Sequence, residues 1–581
     1  MNLFADIKTL VTESLAGLAE AGDLPAELDT KNVTVEPPRD AAHGDMATNA
    51  AMVLAKQAKM KPRDLADILV AKLTEDSRVT EASVAGPGFI NLRLDPAIWL
   101  AVIPAALAAG PDFGRSMLGA GKRVNVEYVS ANPTGPLHVG HTRGAVFGDA
   151  LAKLLAHAGW EATKEYYIND GGAQIDTLAR SVHLRYRQAN GAEVEVPEGL
   201  YPGDYLIPVG KALAAEFGDQ YVAADEADWL DLFRTRATDA MMDLIRGDLA
   251  ALGVEMDHFF SEKSLYGTGR IEAALTELRG RDLVYEGVLE PPKGKAPEDW
   301  EPRPQTLFKS TIYGDDVDRP VKKSDGSWTY FAPDIAYHYD KVERGYDLLI
   351  DVLGADHGGY VKRMKAAVAA LSEERVALDI RLCQLVRLFK NGEPFKMSKR
   401  AGTFIMLRDV IDEVGPDVTR FMMLTRKNDA QMDFDFDKAR EQTRENKVWY
   451  VQYASARTHS VMARAAEAGI AADDSALASA DLSVLSHPAD HALTRKIAEF
   501  PRLVETAAHH QEPHRVADYL YDLASEFHAH WNLGSVDPAL RAVQPDSPES
   551  SLARLALYRA VRVVIFAGLG ILGVTPMTEM A

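Results

Sequence analysis

Apolar residues near the start of the chain, Leu3, Phe4, Ile7, Leu10 and Val11, recur every three or four positions among polar neighbours, the spacing of one buried helix face. A second apolar helix is expected through Met52, Val53, Leu54 and Ala55, and a third from Pro62 to Val70, with proline in the first turn, where no N–H is needed. Val84 to Leu94 reads as a turn followed by an alternating strand. These pieces make a small α+β domain over residues 1–110, followed by the glycine-rich stretch Gly110 to Gly121.

From Lys122 the pattern changes to strand–helix alternation, the mark of a parallel α/β sheet. A strand from Val124 passes through a tight loop into a helix carrying Val146, Ala150, Leu151, Leu154 and Leu155, which stops at Gly159. Glu161 to Ile168 reads as the next strand, and Asn169-Asp-Gly-Gly172 as the turn into another helix. Residues 190–260 read as a polar helical insertion hinged at Tyr201-Pro-Gly-Asp-Tyr205. Strand-like pieces return at Thr306 to Ser310, Trp328 to Phe331 and Tyr346 to Leu353, the last running into Gly354-Ala-Asp-His-Gly-Gly359. The expected order is therefore an α/β domain over 120–405, a connecting region over 406–440, and an all-α domain over 441–581 broken by a polar loop from Asp473 to Asp490.

With 581 residues, 47% hydrophobic and 26% charged, the chain has the composition of a folded globular protein of several domains. The longest apolar run, Ala97 to Gly110, contains Pro104 and is shorter than the ~20 residues a membrane-spanning helix needs, so no membrane partner is expected. The N-terminus lacks the basic start and apolar block of a signal peptide, which makes the cytoplasm the default location. Cys383 is the only cysteine, which excludes an intrachain disulfide and a cysteine-based metal site. The net charge of −21 argues against non-specific adhesion to nucleic acid, though not against local basic patches.

The chemistry concentrates at Val124-Asn-Val-Glu-Tyr-Val-Ser-Ala-Asn-Pro-Thr-Gly-Pro-Leu-His-Val-Gly-His141. His138 and His141 stand three apart on the first turn of a helix, side by side where a parallel sheet presents a helix N-terminus to ligands. Two imidazoles there suit a phosphate, and Gly140 between them leaves room for a flat ring such as adenine. A metal pair and two core histidines are the competing readings, the first weakened by the lack of a third ligand nearby. Far downstream, Lys396-Met-Ser-Lys-Arg400 lies between Gly392, Pro394 and Gly402, so Lys396 and Lys399 can reach charge that develops on a phosphate.

His-x-Gly-His at a strand–helix junction followed by Lys-Met-Ser-Lys-Arg is the double signature of class I aminoacyl-tRNA synthetases, and the chain most closely resembles the arginyl-tRNA synthetases. The resemblance extends to Glu127–His141, Tyr330–His338, Gly354–Tyr360, Asp433–Asp437 and Trp449–Arg457, and so covers essentially the whole chain. It implies a multidomain α/β protein with a Rossmann-like catalytic domain, an N-terminal domain that binds the tRNA elbow and a helical anticodon-binding domain. It implies an ATP site over Pro133, Gly135, His138, Gly140, His141, Met397, Ser398 and Lys399, with His138, His141, Lys396 and Lys399 catalytic. It also implies an arginine pocket of Glu127, Asn132, Tyr330 and Asp334, completed near Asp356 and His357. The expected partners are L-arginine, ATP with Mg2+ and tRNA(Arg), with no resident metal and the chain acting as a monomer.

The residues speak for a cationic ligand as well. Glu127 falls at the carboxyl end of a strand buried on both faces, where an unpaired carboxylate is costly, so a cation should meet it. That cation is either a substrate guanidinium, for which Asp334 is the natural second acceptor, or an internal Arg or Lys. Tyr330 could equally be core, and Trp449, Tyr450 and Tyr453 could stack on bases or simply pack a helix. A synthetase for another amino acid, or a non-catalytic RNA-binding relative, is the alternative; the first would want zinc-binding cysteines in the cysteine case, and the second should have lost one of the two signatures.

Overall fold

The computed structural model describes residues 1–38, 40–290, 302–395 and 405–580. The alternation after Lys122 builds a five-stranded sheet from β1 (Arg123–Glu127), β2 (Glu161–Ile168), β3 (His258–Ser261), β4 (Leu348–Gly354) and β5 (Ala377–Cys383), in the order β5-β4-β1-β2-β3. Every pairing is parallel. The chain runs from β1 out to one edge and then returns on the other side with β4, which opens a crevice between β1 and β4 at their carboxyl ends. Val124, Val126, Leu349 and Ile350 are wholly buried, as strands covered on both faces require.

Helix α1 (Val139–His157) follows β1, and helix α2 (Phe331–Glu343) precedes β4. Several local expectations need correction. Trp328 to Phe331 is not a strand: Trp328 makes only an isolated bridge to Lys322, and α2 begins at Phe331 with Pro333 in its first turn, where its missing N–H costs nothing. Residues 258–261, read as helical, form the edge strand β3, whose four residues are too few to show a period. The piece around Thr306 is a strand, Gln305–Phe308, but it belongs to a separate antiparallel sheet with Val284–Gly287 and Arg319–Lys322. Within the connecting region expected over 406–440, Met432–Asp435 is a strand lying parallel to Val386–Lys390.

The N-terminal unit sets helices Leu3–Glu20, Ala50–Ala58 and Pro62–Leu73 against a four-stranded sheet. Beyond residue 447 the chain is helical, with Lys447–Glu467, Pro488–His510, His514–Val536 and Pro548–Leu572 as its long elements. Pro548–Leu572 is long and apolar enough to cross a membrane, yet 78% of its apolar window is buried inside the protein. The N-terminal unit meets the helical one: Arg495 pairs with Asp45 at 2.8 Å, and Asn2 Nδ2 donates to Glu505 at 2.9 Å. Buried Arg420 joins the helical unit to the sheet domain by donating to Asp149 of α1 and to the carbonyls of Leu572 and Leu252.

Candidate active site

The turn that opens α1 uses its histidines as caps. The amide of Gly140 donates to His138 Nδ1 at 3.0 Å, and the amide of His138 donates to His141 Nδ1 at 3.3 Å, satisfying donors that a helix start leaves open. With Nδ1 accepting, each neutral ring carries its proton on Nε2. The rings stack at 3.8 Å between centroids. A Cβ on Gly140 would lie 2.7 Å from His138 Cε1, so the glycine makes room for the His138 ring itself rather than only for a ligand. Asn132, Thr134, Gly135, His138 and His141 line a cleft of about 340 Å3, together with Tyr201, Tyr205 and Met406. Pro133 is buried and is not part of that wall.

Tyr201 and Tyr205 come from the insertion, where the sequence shows only a hinge; Tyr205 donates to the Thr134 carbonyl at 2.9 Å and so holds the loop after β1. Lys396, Met397, Ser398 and Lys399 lie outside the described residues. Residues 405–407 are described: Val139 N donates to Ile405 O at 3.1 Å and Leu407 N to Leu137 O at 2.8 Å, which bridges them to the histidine turn.

At the floor of the crevice, register brings three carboxylates abreast. Asp351 of β4 faces Glu127 of β1, and Glu127 faces Glu165 of β2, all of them buried. Like charges in adjacent positions repel, and α2 supplies what the row requires. Lys341, fully buried, donates to Glu127 Oε2 at 2.5 Å and to Asp351 Oδ1 at 3.0 Å. Arg344 grips both oxygens of Glu165 at 2.7 and 2.9 Å, and Tyr337 donates to Glu165 at 2.9 Å. Thus the cation that meets Glu127 is internal. Burial opposes ionisation of Asp351, but Lys341 and His338 outweigh it and hold the carboxyl well below its usual range. Burial likewise disfavours a charged Lys341, and Asp351 and Glu127 overcome it.

The other oxygen of Glu127 accepts from Ser130 Oγ at 2.9 Å. That bond needs a sharp reversal, and Val129 and Ser130 both take positive φ, 69° and 40°, a costly conformation for a β-branched valine.

Asp334 differs from the row. It is half-buried on the first turn of α2, and no hydrogen bond or ion pair reaches its carboxylate among the described residues. Burial pushes its carboxyl up to about 7, with Glu262, Glu127 and Asp351 adding to the shift and His338 opposing it. Glu262, just past β3, has a buried Oε2 with no partner, and burial raises its carboxyl too; its Oε1 accepts from Tyr266 at 2.9 Å. Tyr167 and Tyr266 feel the same negative charge. Tyr330, at the cap of α2, is 76% exposed and so is no core residue. Together Asp334 and Glu262 set two carboxyls without an ion pair among the described residues near one another, each raised by burial. Lys341, Glu262 and Tyr266 are missing from the sequence reading. Recognising α2 as a helix would have revealed Lys341, because Asp334, His338 and Lys341 share one helix face.

Asn132 is exposed, and its Oδ1 accepts from Asn169 Nδ2 at 2.9 Å, which leaves its N–H groups as the available donors. Asp356 and His357 stand just beyond β4, both exposed, 3.9 Å apart between Oδ2 and Nε2. In the helical unit, Trp449 and Tyr453 stack at 4.9 Å and Tyr450 lies 4.4 Å from the ring of His528. All three are half-buried, and Trp449 borders a cleft of about 570 Å3 whose lining includes Met577 and Met580.

A parallel sheet whose switch point carries a His-x-Gly-His helix start, followed by a helical C-terminal unit, defines a class I aminoacyl-tRNA synthetase. Family models match in three places: the arginyl tRNA synthetase N terminal domain over residues 5–94, the class I (R) tRNA synthetase catalytic domain over 102–206, and the DALR anticodon binding domain over 451–580. The chain is 69% identical to the arginine–tRNA ligase of Roseobacter denitrificans and 68% identical to that of Paracoccus denitrificans, each over 100% of both chains. Its fold is similar to that of Thermus thermophilus arginyl-tRNA synthetase, with a TM-score of 0.73 at 21% identity over 99% of this chain and 100% of that one. The chain belongs to the arginyl-tRNA synthetase family.

Proposed function

We propose that the protein attaches L-arginine to tRNA(Arg) in two steps, and that Asp334 is the residue that most directly selects arginine. The observation that carries this reading is a carboxylate that no hydrogen bond or ion pair meets among the described residues, with Glu262, Glu127 and Asp351 as neighbours that outweigh the nearby His338. Such a group calls for a cation from outside, and a guanidinium offers planar paired donors to more than one acceptor. Glu127 contributes from the floor with its charge shared by Lys341, and exposed Tyr330 covers the opening. A lysine side chain in place of arginine would leave acceptors unsatisfied, which is the basis for rejecting it.

In the first step a carboxylate oxygen of arginine attacks the α-phosphorus of ATP, which enters with Mg2+; the bond to the bridging oxygen breaks and pyrophosphate leaves. Positioning and charge stabilisation accomplish this, through the Nε2–H groups of His138 and His141 and the ammonium groups of Lys396 and Lys399. Asn132 directs its N–H groups to the arginine carboxylate, and Asp356 and His357 bound the far side. In the second step a ribose hydroxyl of the terminal adenosine attacks the arginyl carbonyl and AMP leaves. The N-terminal unit receives the tRNA elbow, and the helical unit receives the anticodon beside Trp449 and Tyr453. The chain works as a monomer in the cytoplasm, a reading its single cysteine suits. Charging of tRNA with each of the twenty amino acids tests this: arginine alone should be attached, and attachment of another instead would overturn the pocket.

A further inference from the structure

Arg143 lies on the second turn of α1, two residues beyond His141, and is 1% exposed. Its guanidinium is spent on backbone oxygens: Nη1 donates to Gln384 O at 3.1 Å and Ala430 O at 2.7 Å, and Nη2 to Lys427 O at 2.8 Å. Gln384 joins β5 to the strand Val386–Lys390, which turns back as Glu393–Phe395 and leads directly to Lys396. Lys427 and Ala430 precede Met432–Asp435, the parallel neighbour of Val386–Lys390. Asn428 ties the same place: its Nδ2 donates to Leu382 O at 2.8 Å while its carbonyl accepts from Gln384 N at 2.9 Å. Beyond residues 396–404, which lie outside the described residues, Ile405 and Leu407 are bridged to the histidine turn.

We propose that Arg143 is a positioning residue for arginyl-adenylate formation: it locks the base of the Val386–Phe395 hairpin to the helix that carries His138 and His141. The histidine helix and the base of the hairpin then form one frame through this guanidinium, while Ile405 and Leu407, further along the chain, are bridged separately to Val139 and Leu137. An arginine fork can serve three carbonyls that diverge, whereas one ammonium cannot. A charge buried for packing alone would be a poor choice, since an apolar residue would fill the space without desolvation. The frame matters because small misplacements of reacting groups cost rate rather than affinity. This inference rests on the reading that Lys396 and Lys399 act on the phosphates.

The test compares Arg143→Lys, Arg143→Met and Asn428→Ala with the wild type in ATP–pyrophosphate exchange in the presence of tRNA, alongside thermal unfolding. Arg143→Met should lower kcat by about ten- to a hundredfold with KM for arginine and ATP changed less than about threefold. Arg143→Lys should recover part of the rate, and Asn428→Ala should show the same split more weakly. Unfolding at a lower temperature with kcat unchanged would overturn the proposal, as would a rise in both KM values that matches the loss in kcat. If Arg143→Met fails to fold, the Arg143→Lys and Asn428→Ala pair decides by the same criterion. Lys399→Ala in the same assay separates the two ideas: full activity there removes the reading beneath this one, while a slow Lys399→Ala beside normal Arg143 and Asn428 variants removes only the role of Arg143.

Discussion

Replacing Asp334 by asparagine should make the unliganded protein more stable at neutral pH and nearly blind to arginine. The carboxyl has no ion-pair partner among the described residues, and burial raises it from 3.8 to about 7 against the opposing His338. A raised acid binds more protons in the folded than in the unfolded chain between those two values, so its contribution to stability falls as pH rises from 3.8 to about 7 and is fully lost above. At pH 8 the cost approaches about 4 kcal/mol as an upper value, which relaxation and water reduce to about 1–3 kcal/mol. The amide side chain of the variant does not titrate and escapes that cost. Differential scanning calorimetry of both proteins at pH 5 and pH 8 is the assay, with the advantage of Asp334→Asn growing with pH. Arginine titrated by calorimetry should bind the variant more weakly by about 2–5 kcal/mol. In the wild type, binding at pH 7 should release about half a proton, seen by repeating the titration in buffers of different ionisation heat. A variant that is less stable at pH 8, or that keeps wild-type arginine affinity, would refute the reasoning.

The floor of the pocket yields further tests. Lys341→Met leaves Glu127 and Asp351 buried side by side without their shared cation, and should destabilise the protein by about 3–5 kcal/mol in a denaturant titration; a loss below about 1 kcal/mol would show that the row is solvated. Glu127→Gln leaves Lys341 paired to Asp351, so arginine affinity should fall less than in Asp334→Asn, and a larger fall would reverse their ranking. Gly140→Ala places a methyl 2.7 Å from the His138 ring and should lower the adenylation rate about tenfold while tRNA binding persists; an unchanged rate would free the ring from that role. Lys399→Ala should slow adenylate formation far more than it weakens ATP binding, and equal losses would make it a simple binding contact.

What the chain declares by itself is local. The strand, loop and helix from Val124 to Gly159 announce themselves because apolar period, capping residues and a stop glycine lie within a few residues of one another, and the two histidines fall on one face for the same reason. The burial argument at Glu127 also follows from the strand alone: a cation had to meet it. Which cation did not follow. Lys341 is 214 positions away, and it meets Glu127 only because β4 inserts beside β1 and α2 brings Lys341 to Glu127 and Asp351 together. The same is true of the alignment of Asp351, Glu127 and Glu165, which register sets and no periodicity records. Trp328 to Phe331 misled because a short aromatic run fits a strand as well as a helix entry, and Pro333 tells only for a reader who already suspects the helix. Tertiary structure alone made Glu127 an internally paired group and left Asp334 without an ion-pair partner among the described residues, since the balance of buried charge depends on which elements meet and not on which residues adjoin in sequence.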